Sequence, residues 1–195
     1  MRTSQGMTLI ELMIGLVIVA LLLGIGLPAF NAFIANTKLR SVAEGLQTGL
    51  SLARSEAMRR NSNVEFVLTN DVVDLGTFAD AVPAANGIHW VVRLVDPATG
   101  VPALVEGKSG AEGTGRASGG STVLTAASNP SIFFRGLGGT TLGATATFDV
   151  SNPQAGACHT VATPSPIRCL RVQVSVSGLI RMCDPATAAP DTRAC

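Results

Sequence analysis

The sequence has few charged residues and few histidines, and both shortages exclude some classes of function. Only 14% of its 195 residues are charged, and the formal net charge is +1. No strong overall field therefore favours nucleic acid or an anionic surface as a partner. The sequence contains two histidines, His89 and His159, and no C-x-x-C pair. It therefore lacks the ligand spacing of a zinc site.

The sequence motifs of enzymes are also missing. There is no Walker loop, no G-x-S-x-G turn, no H-E-x-x-H and no pair of histidines. The glycines of Gly136-Leu-Gly-Gly139 are not followed by a helical pattern, which argues against a phosphate-binding loop. We therefore predict that the protein is not an enzyme and that it has no cofactor and no metal site.

The apolar residues are concentrated near the N-terminus. Residues 12–30 are nearly all apolar, and no charge lies between Glu11 and Lys38. Because a helix rises 1.5 Å per residue, about 20 such residues cross the hydrocarbon core of a bilayer. We predict a transmembrane segment at about residues 10–34.

The apolar segment carries an acid and lacks the cleavage site of a secretory signal. Such signals are cut after the apolar stretch at small residues, whereas here Gly6 precedes the stretch. Cleavage after Gly6 would leave the helix on the mature chain. Glu11 would then be an acid inside a membrane segment, which costs about 3 kcal/mol and calls for a partner. The α-amino group of Met7 on a neighbouring chain could neutralise it and set the axial register between subunits.

The stretch Gly6-Met7-Thr8-Leu9-Ile10-Glu11 resembles the class III leader junction of type IV pilins and pseudopilins. In that family a prepilin peptidase cuts after the glycine and methylates the new N-terminus. The resemblance implies that residues 1–6 are a cleaved leader and that Met7, where the family most often has Phe, is N-methylated. The family's acid at the fifth mature position matches Glu11, and its proline at the twenty-second matches Pro28. An ordinary signal anchor that happens to carry one glutamate is the alternative.

The same resemblance gives the apolar helix two functions. It would anchor the chain in the inner membrane and later pack against other pilins or pseudopilins in the core of a filament. Pro28 removes one backbone hydrogen bond, so we expect the helix to bend or loosen there. In pilins this is the region where the helix partly melts during assembly.

After Phe30 the helical pattern becomes amphipathic. We predict one helix from about residue 8 to about residue 61, ended by the turn formers Asn61-Ser62-Asn63. Its buried stripe recurs at steps of three and four residues, at Leu39, Val42, Ala43, Leu46, Leu50, Ala53 and Ala57.

The rest of the chain, residues 62–195, alternates strand patterns with turn residues. We predict strands at Val64–Leu68, Ile88–Val95, Thr122–Thr125, Ser131–Arg135, Ala144–Val150 and Leu170–Val176, continuing through Ile180–Met182. Leu104 to Gly120, rich in glycine, serine and charge, is predicted to be a mobile surface loop. The fold class is therefore α+β, with a helix over residues 7–61 packed on an antiparallel, β-rich head.

The body of the chain resembles a narrower family, the general secretion pathway protein H and FimT/FimU group of minor pilins. This resemblance implies a type IV pilin-like fold. The matching features are Ala53-Arg54-Ser55-Glu56-Ala57, Val64-Glu65-Phe66, Trp90, Ile132-Phe133-Phe134-Arg135-Gly136 and Val174-Ser175-Val176-Ser177-Gly178.

All four cysteines lie within the last 40 residues, at Cys158, Cys169, Cys183 and Cys195. In a chain that enters a membrane, this clustering favours disulfides in an oxidising compartment. Four reduced, buried thiols are the alternative. Adjacent pairing, Cys158–Cys169 and Cys183–Cys195, would close two short loops, but three connectivities are open to four cysteines.

The C-terminal tail is the best candidate for a recognition site. It contains Arg168, Arg171, Arg181 and Arg193, opposed by Asp184 and Asp191. In FimT-type pilins of competent bacteria, a Gly-Arg-x-Arg motif before a C-terminal cysteine loop binds DNA. Here the segment is Gly178-Leu179-Ile180-Arg181, where Leu179 replaces the first arginine. The resemblance implies weak DNA contact at Arg181 and Arg193, and solvated arginines beside a disulfide-pinned edge are the alternative.

The functional expectation is a minor pilin of the FimT/FimU type that lies near a pilus tip and helps to prime assembly. The alternative is a minor pseudopilin of the type II secretion system, and a DNA-binding pilin for natural competence is the third. A major structural pilin is less favoured. All place the chain in the bacterial inner membrane with a single pass and a periplasmic head, which becomes extracellular in an assembled filament.

Overall fold

The computed structural model describes residues 8–71, 76–96, 99–108 and 123–195. A long helix, α1 (Leu9–Arg60), comes first, and a short 3-10 helix (Phe78–Asp80) lies in the β1–β2 connection. The described strands are β1 (Val64–Thr69), β2 (His89–Val95), β3 (Pro102–Lys108), β4 (Leu124–Ala127), β5 (Ser131–Phe134), β6 (Ala146–Ser151), β7 (Leu170–Val174) and β8 (Ile180–Cys183).

Both ends of α1 are capped by the residue types that the sequence offers there. The hydroxyl of Thr8 accepts the backbone N–H of Glu11 at 3.3 Å, which satisfies one of the free donors of the first turn. At the other end Asn61 adopts the left-handed conformation, with φ 48°, and the helix stops. The helix bounds agree with the predicted ones to within one residue.

The two halves of α1 have opposite surroundings. Large apolar side chains between Leu9 and Phe33 are exposed, whereas Leu39, Leu50 and Ala53 are fully buried in the head. By length and composition, α1 is able to cross a membrane. The helix continues through position 28, and the loosening expected at Pro28 stays a prediction.

The described residues of the head form two four-stranded antiparallel sheets, and α1 packs against both of them. The strand order is β3-β2-β1-β5 in the first sheet and β4-β6-β7-β8 in the second. Three aromatic rings join the layers of the core. Phe66 stacks on Trp90 at 6.0 Å in the first sheet and meets Phe148 of the second sheet edge-on at 5.9 Å.

Most predicted strands are present, but the predicted loop from Leu104 to Gly120 is wrong over its first residues. Pro102–Lys108 is strand β3, which pairs antiparallel with β2. Glu106 and Lys108 favoured a loop, but pairing with β2 overrides this weak preference. β3 is an edge strand, where a leading proline costs no ladder hydrogen bond. The remainder of the predicted loop lies outside the described residues.

Several strand boundaries also differ from the prediction by one or a few residues. Leu170–Val176 does not continue as one strand, because β7 ends at Val174 and returns antiparallel as β8 through a turn over residues 175–179. β4 begins at Leu124, and Thr122 lies outside the described residues.

Truncating Phe66 is expected to destabilise the head strongly. The side chain is fully buried and touches both other aromatic rings. We expect Phe66→Ala to lower the free energy of unfolding by about 3–5 kcal/mol, because it removes apolar contact and leaves a cavity. Urea unfolding of the detergent-solubilised chain, followed by Trp90 fluorescence, measures the change. Val161→Ala at an exposed position is the control, expected within about 0.5 kcal/mol of wild type, and an equal loss in both variants would contradict this account of the core.

Candidate functional site

Glu11 lies in the first turn of α1 with an exposed side chain. An acid there interacts favourably with the positive end of the helix dipole. None of the described residues forms an ion pair with it. Gly6 and Met7 lie outside the described residues. The pairing of Glu11 with a neighbouring chain's amine therefore stays a prediction.

Asn36 joins the helix to the tail at the point where α1 enters the head. Its side-chain amide donates to the carbonyl of Pro166 at 2.8 Å, and its amide oxygen accepts the backbone N–H of Arg168 at 2.8 Å. One side chain thus pairs with two backbone groups of the loop between Cys158 and Cys169. Sequence reasoning missed Asn36. An amide placed one turn before the amphipathic stripe was the available signal.

Two disulfides close the loops of the tail. Cys158 pairs with Cys169 and Cys183 pairs with Cys195, with Cα–Cα distances of 5.4 and 5.2 Å. This is the adjacent connectivity among the three that the sequence left open. His159 lies inside the first loop, where its Nδ1 accepts a hydrogen bond from the backbone N–H of Ser165 at 3.1 Å.

The two arginines that are predicted to contact DNA, Arg181 and Arg193, already have partners within the tail. Arg181 donates to the carbonyls of Ala194 and Cys195, at 2.9 and 3.2 Å. Arg193 forms an ion pair with Asp191 at 2.7 Å, and its hydrogen bonds lower the pKa of that carboxyl to about 2. A phosphate would have to compete with these contacts, and DNA binding here stays a prediction.

A groove of about 400 Å³ lies between α1 and the tail. It is lined by Asn36, Arg40, Arg168, Leu170, Met182, Cys183, Asp184 and Arg193. Each of its three arginines pairs with an acid. Arg40 lies 3.0 Å from Glu44, Arg168 lies 3.5 Å from Asp184, and Arg193 is held by Asp191. The groove therefore offers no clear excess of positive charge. Within the described ranges, no cluster of His, Cys, Asp and Glu is arranged to hold a metal ion.

The last turn of α1 carries a second charged cluster. Glu56 accepts hydrogen bonds from Arg59 at 2.6 Å and from Arg60 at 2.8 Å. These bonds, from Arg59 first and then Arg60, lower the pKa of Glu56 to about 2. The carboxylate is therefore ionised at every physiological pH and ties the two arginines to the helix end.

Comparison with known sequences assigns the family. The sequence model described as "Type II transport protein GspH" matches residues 42–178, and the "Prokaryotic N-terminal methylation motif" matches residues 1–27. The chain belongs to the GspH family. Members of this family are minor pilins and pseudopilins, which assemble with other pilins or pseudopilins and serve structural functions. The resemblance seen in the sequence is confirmed. A search of curated protein sequences gave no match.

The fold is similar to that of a solved type IV minor pilin. The type IV minor pilin FimU of Pseudomonas aeruginosa is 18% identical, with a TM-score of 0.54 over 82% of this chain and 97% of that one. The minor pseudopilin EpsH from the type 2 secretion system of Vibrio cholerae is 12% identical, with a TM-score of 0.48 over 77% and 99%. The likeness to FimU confirms the predicted type IV pilin-like fold.

The ion cluster at Glu56 predicts a pH dependence of stability. The pKa of this carboxyl is about 2 in the folded chain and 4.5 in its ordinary state. Its stabilisation is therefore complete above pH 4.5 and is lost as the pH falls towards 2. We expect wild type to be more stable than Glu56→Gln at pH 6, and the gap to close between pH 4.5 and 2. Urea unfolding across this range measures it, and a gap independent of pH would contradict the assignment.

The ion pair between Arg193 and Asp191 leads to a prediction about DNA binding. Asp191→Asn removes the carboxylate that holds Arg193, so we expect salt-sensitive retention of duplex DNA to increase over wild type. Gel-shift titration at 50 and 150 mM salt measures the change, with Glu106→Gln as the matched control, because it removes one exposed negative charge from strand β3 outside the tail. No salt-sensitive binding in either the wild type or Asp191→Asn would end the proposal of DNA contact at Arg193.

Proposed function

We propose that this protein is a minor pilin of the FimT/FimU type, which takes part in the assembly and priming of a type IV pilus. The observation that carries the proposal is the division of α1 into two halves. The large apolar side chains described between Leu9 and Ile34 are exposed, and this part of the helix is about 39 Å long at 1.5 Å per residue. The following half of the same helix is the centre of the head's core.

The apolar half of α1 needs a non-aqueous environment at every stage. A bilayer supplies one, since its hydrocarbon core is about 30 Å thick. A bundle of equally apolar helices supplies another, because side chains leaving lipid for such a bundle never meet water. The chain would thus be stored in the inner membrane, with the head in the periplasm, and would move into a filament core. In this step Glu11 would neutralise the amine of the next subunit.

The second part of this proposal is the processing of the N-terminus. The N-terminal methylation motif that matches residues 1–27 supports cleavage after Gly6 by a prepilin peptidase and methylation of Met7. Cleavage creates the α-amino group that Glu11 requires. The membrane, the peptidase and the neighbouring pilins are thus the partners that the N-terminal segment is suited to.

A type II secretion minor pseudopilin is the second candidate function. The family's description as a type II transport protein favours it. In that case the same helix packing would build a short pseudopilus that pushes folded proteins outward. Two deletion phenotypes separate the candidates. Loss of surface pili supports the pilus, and loss of exoprotein secretion with intact pili supports the secretion system.

Replacing Glu11 tests the assembly mechanism. We expect Glu11→Ala to be processed and inserted normally, because the apolar segment is unchanged, but to fall about tenfold in the sheared filament fraction. The physical reason is the loss of the charge that would neutralise the neighbouring amine. Immunoblots of membrane and sheared fractions measure the two pools.

The control is Glu44→Ala, which removes an exposed acid of the same helix whose carboxylate pairs with Arg40. This variant is expected to reach the filament at the wild-type level. Normal incorporation of Glu11→Ala would overturn the proposed function of Glu11. An N-terminal sequence that starts well beyond Phe30 would overturn the retained helix itself.

A further inference from the structure

The first disulfide loop, residues 158–169, lies at the end of the head from which the apolar half of α1 emerges. Asn36 holds the carbonyl of Pro166 and the backbone N–H of Arg168, each at 2.8 Å. One turn closer to the N-terminus, Ala32 is half-buried against the core of the head. The head therefore reaches along α1 to the level of Ala32, which is inside the predicted transmembrane segment.

The dimensions of a bilayer place this level in the layer of lipid headgroups. If α1 enters the hydrocarbon core just after Glu11, a core about 30 Å thick ends about 20 residues later, at 1.5 Å per residue. Ala32 then lies at the edge of the core, and Asn36 lies about 6 Å beyond it. The headgroup layer is about 5–7 Å thick on each side. The loop held by Asn36 is therefore at the depth of the headgroups.

The outer part of the first disulfide loop carries no formal charge at neutral pH. Residues 159–166 contain no Asp, Glu, Lys or Arg, and Val161 is 86% exposed in a turn over residues 160–163. The disulfide and the hydroxyl of Ser165, which donates to the carbonyl of Ala157 at 2.7 Å, order the loop. An ordered, uncharged turn can enter the headgroup layer without burying an unpaired charge and with little loss of conformational entropy.

Positive charge follows at once along α1. Between Ile34 and Glu44 the helix carries Lys38 and Arg40 and no acid. Side chains of a helix lean towards its N-terminus, which here is the membrane side, and long cationic side chains can place their charge among lipid headgroups. Within the described ranges Lys38 belongs to no ion pair. Lys38 can therefore bind a lipid phosphate without breaking such a pair.

Two arginines can add to this contact. Arg40 pairs with Glu44 and Arg168 pairs with Asp184, but the arginine side chains are 70% and 52% exposed. A guanidinium has several N–H donors, so it can bind a phosphate as a second partner while it keeps its acid. Lys38 lies on the other side of α1 from Arg40, because the two are two residues apart in a helix. Cations thus face the headgroup layer on both sides of the helix.

We infer that the first disulfide loop docks on an anionic bilayer surface, with the turn at Val161 among the headgroups and with Lys38, Arg40 and Arg168 on lipid phosphates. The ligand is an acidic phospholipid, and the chemistry is attraction between cations and a negative surface. This inference rests on the proposed function, because it requires α1 to be stored in a membrane. The loop and α1 would then make two separate contacts with the bilayer, so the stored head would keep one orientation instead of pivoting about the helix.

Tryptophan quenching in vesicles tests this inference. The full chain with Val161→Trp is reconstituted at a low protein-to-lipid ratio into phosphatidylcholine, alone or mixed with phosphatidylglycerol. A lipid with a nitroxide on its headgroup is the quencher, and wild type gives the background of the buried Trp90. We expect stronger quenching at position 161 in the mixed vesicles and a decrease as salt rises. Lys38→Gln should lower the ratio of docked to undocked heads about fivefold, as for one cation at an anionic surface.

Two matched controls come from the opposite end of the head. Leu137 is 95% exposed in the turn that packs beside Asn61 at the C-terminal end of α1. Leu137→Trp presents the same probe there and should show no quenching above background. Arg135→Gln removes an exposed cation from the same turn and should leave the quenching at position 161 unchanged.

A further probe separates the possible failures. Leu16→Trp lies in the apolar half of α1, and lipids with brominated acyl chains quench it if the helix is inserted. Quenching at position 16 without quenching at position 161 would overturn the inference and leave the proposed function standing, whereas quenching at neither position would overturn both. Equal quenching at positions 161 and 137, or no dependence on phosphatidylglycerol, would also overturn the inference. So would a signal that appears only at a high protein-to-lipid ratio, because it would report contact between copies of the chain.

Discussion

The exposed apolar half of α1 must stay out of water, and the rest of the molecule depends on this constraint. Sixteen large apolar side chains described between Leu9 and Ile34 are exposed on the isolated chain. Burying each is worth about 1.5–3 kcal/mol, so their sum is roughly 30 kcal/mol and exceeds the 5–15 kcal/mol that stabilises a typical fold. A helix with this surface therefore needs apolar surroundings, which a bilayer or a bundle of like helices would supply.

The head buries the other half of α1. It folds around a helix of which it contains only the C-terminal half. The C-terminal half of α1 supplies small residues such as Ala43, Ala53 and Ala57 to the interface. These allow both sheets to approach the same helix closely, and Phe66 fills the space between them. The buried half of α1 thus combines alanines with leucines such as Leu50, whereas the other half exposes large apolar side chains.

The helix and most strands could be predicted, because periodicity and capping residues such as Asn61 act locally. β3 could not be, since Pro102–Lys108 becomes a strand only by pairing with β2. The disulfide pairing was open for the same reason, because it depends on which loops the sheet brings together. The contacts of Asn36 and Arg181 join segments that are distant in the chain, and one sequence without a structure does not show which of its polar residues meet. The charges that sequence reasoning singled out in the tail are largely paired.

The Asn36 contact has a mechanical consequence. A filament subunit is pulled along its helix, and the load must reach the head through whatever ties the two together at the membrane side. Here Asn36 supplies one such tie beside the packing of α1 in the core, because its amide binds the backbone of a loop cross-linked by Cys158 and Cys169. Tension that reaches this contact is passed to a covalently closed ring, which cannot be peeled open residue by residue as a free strand end can.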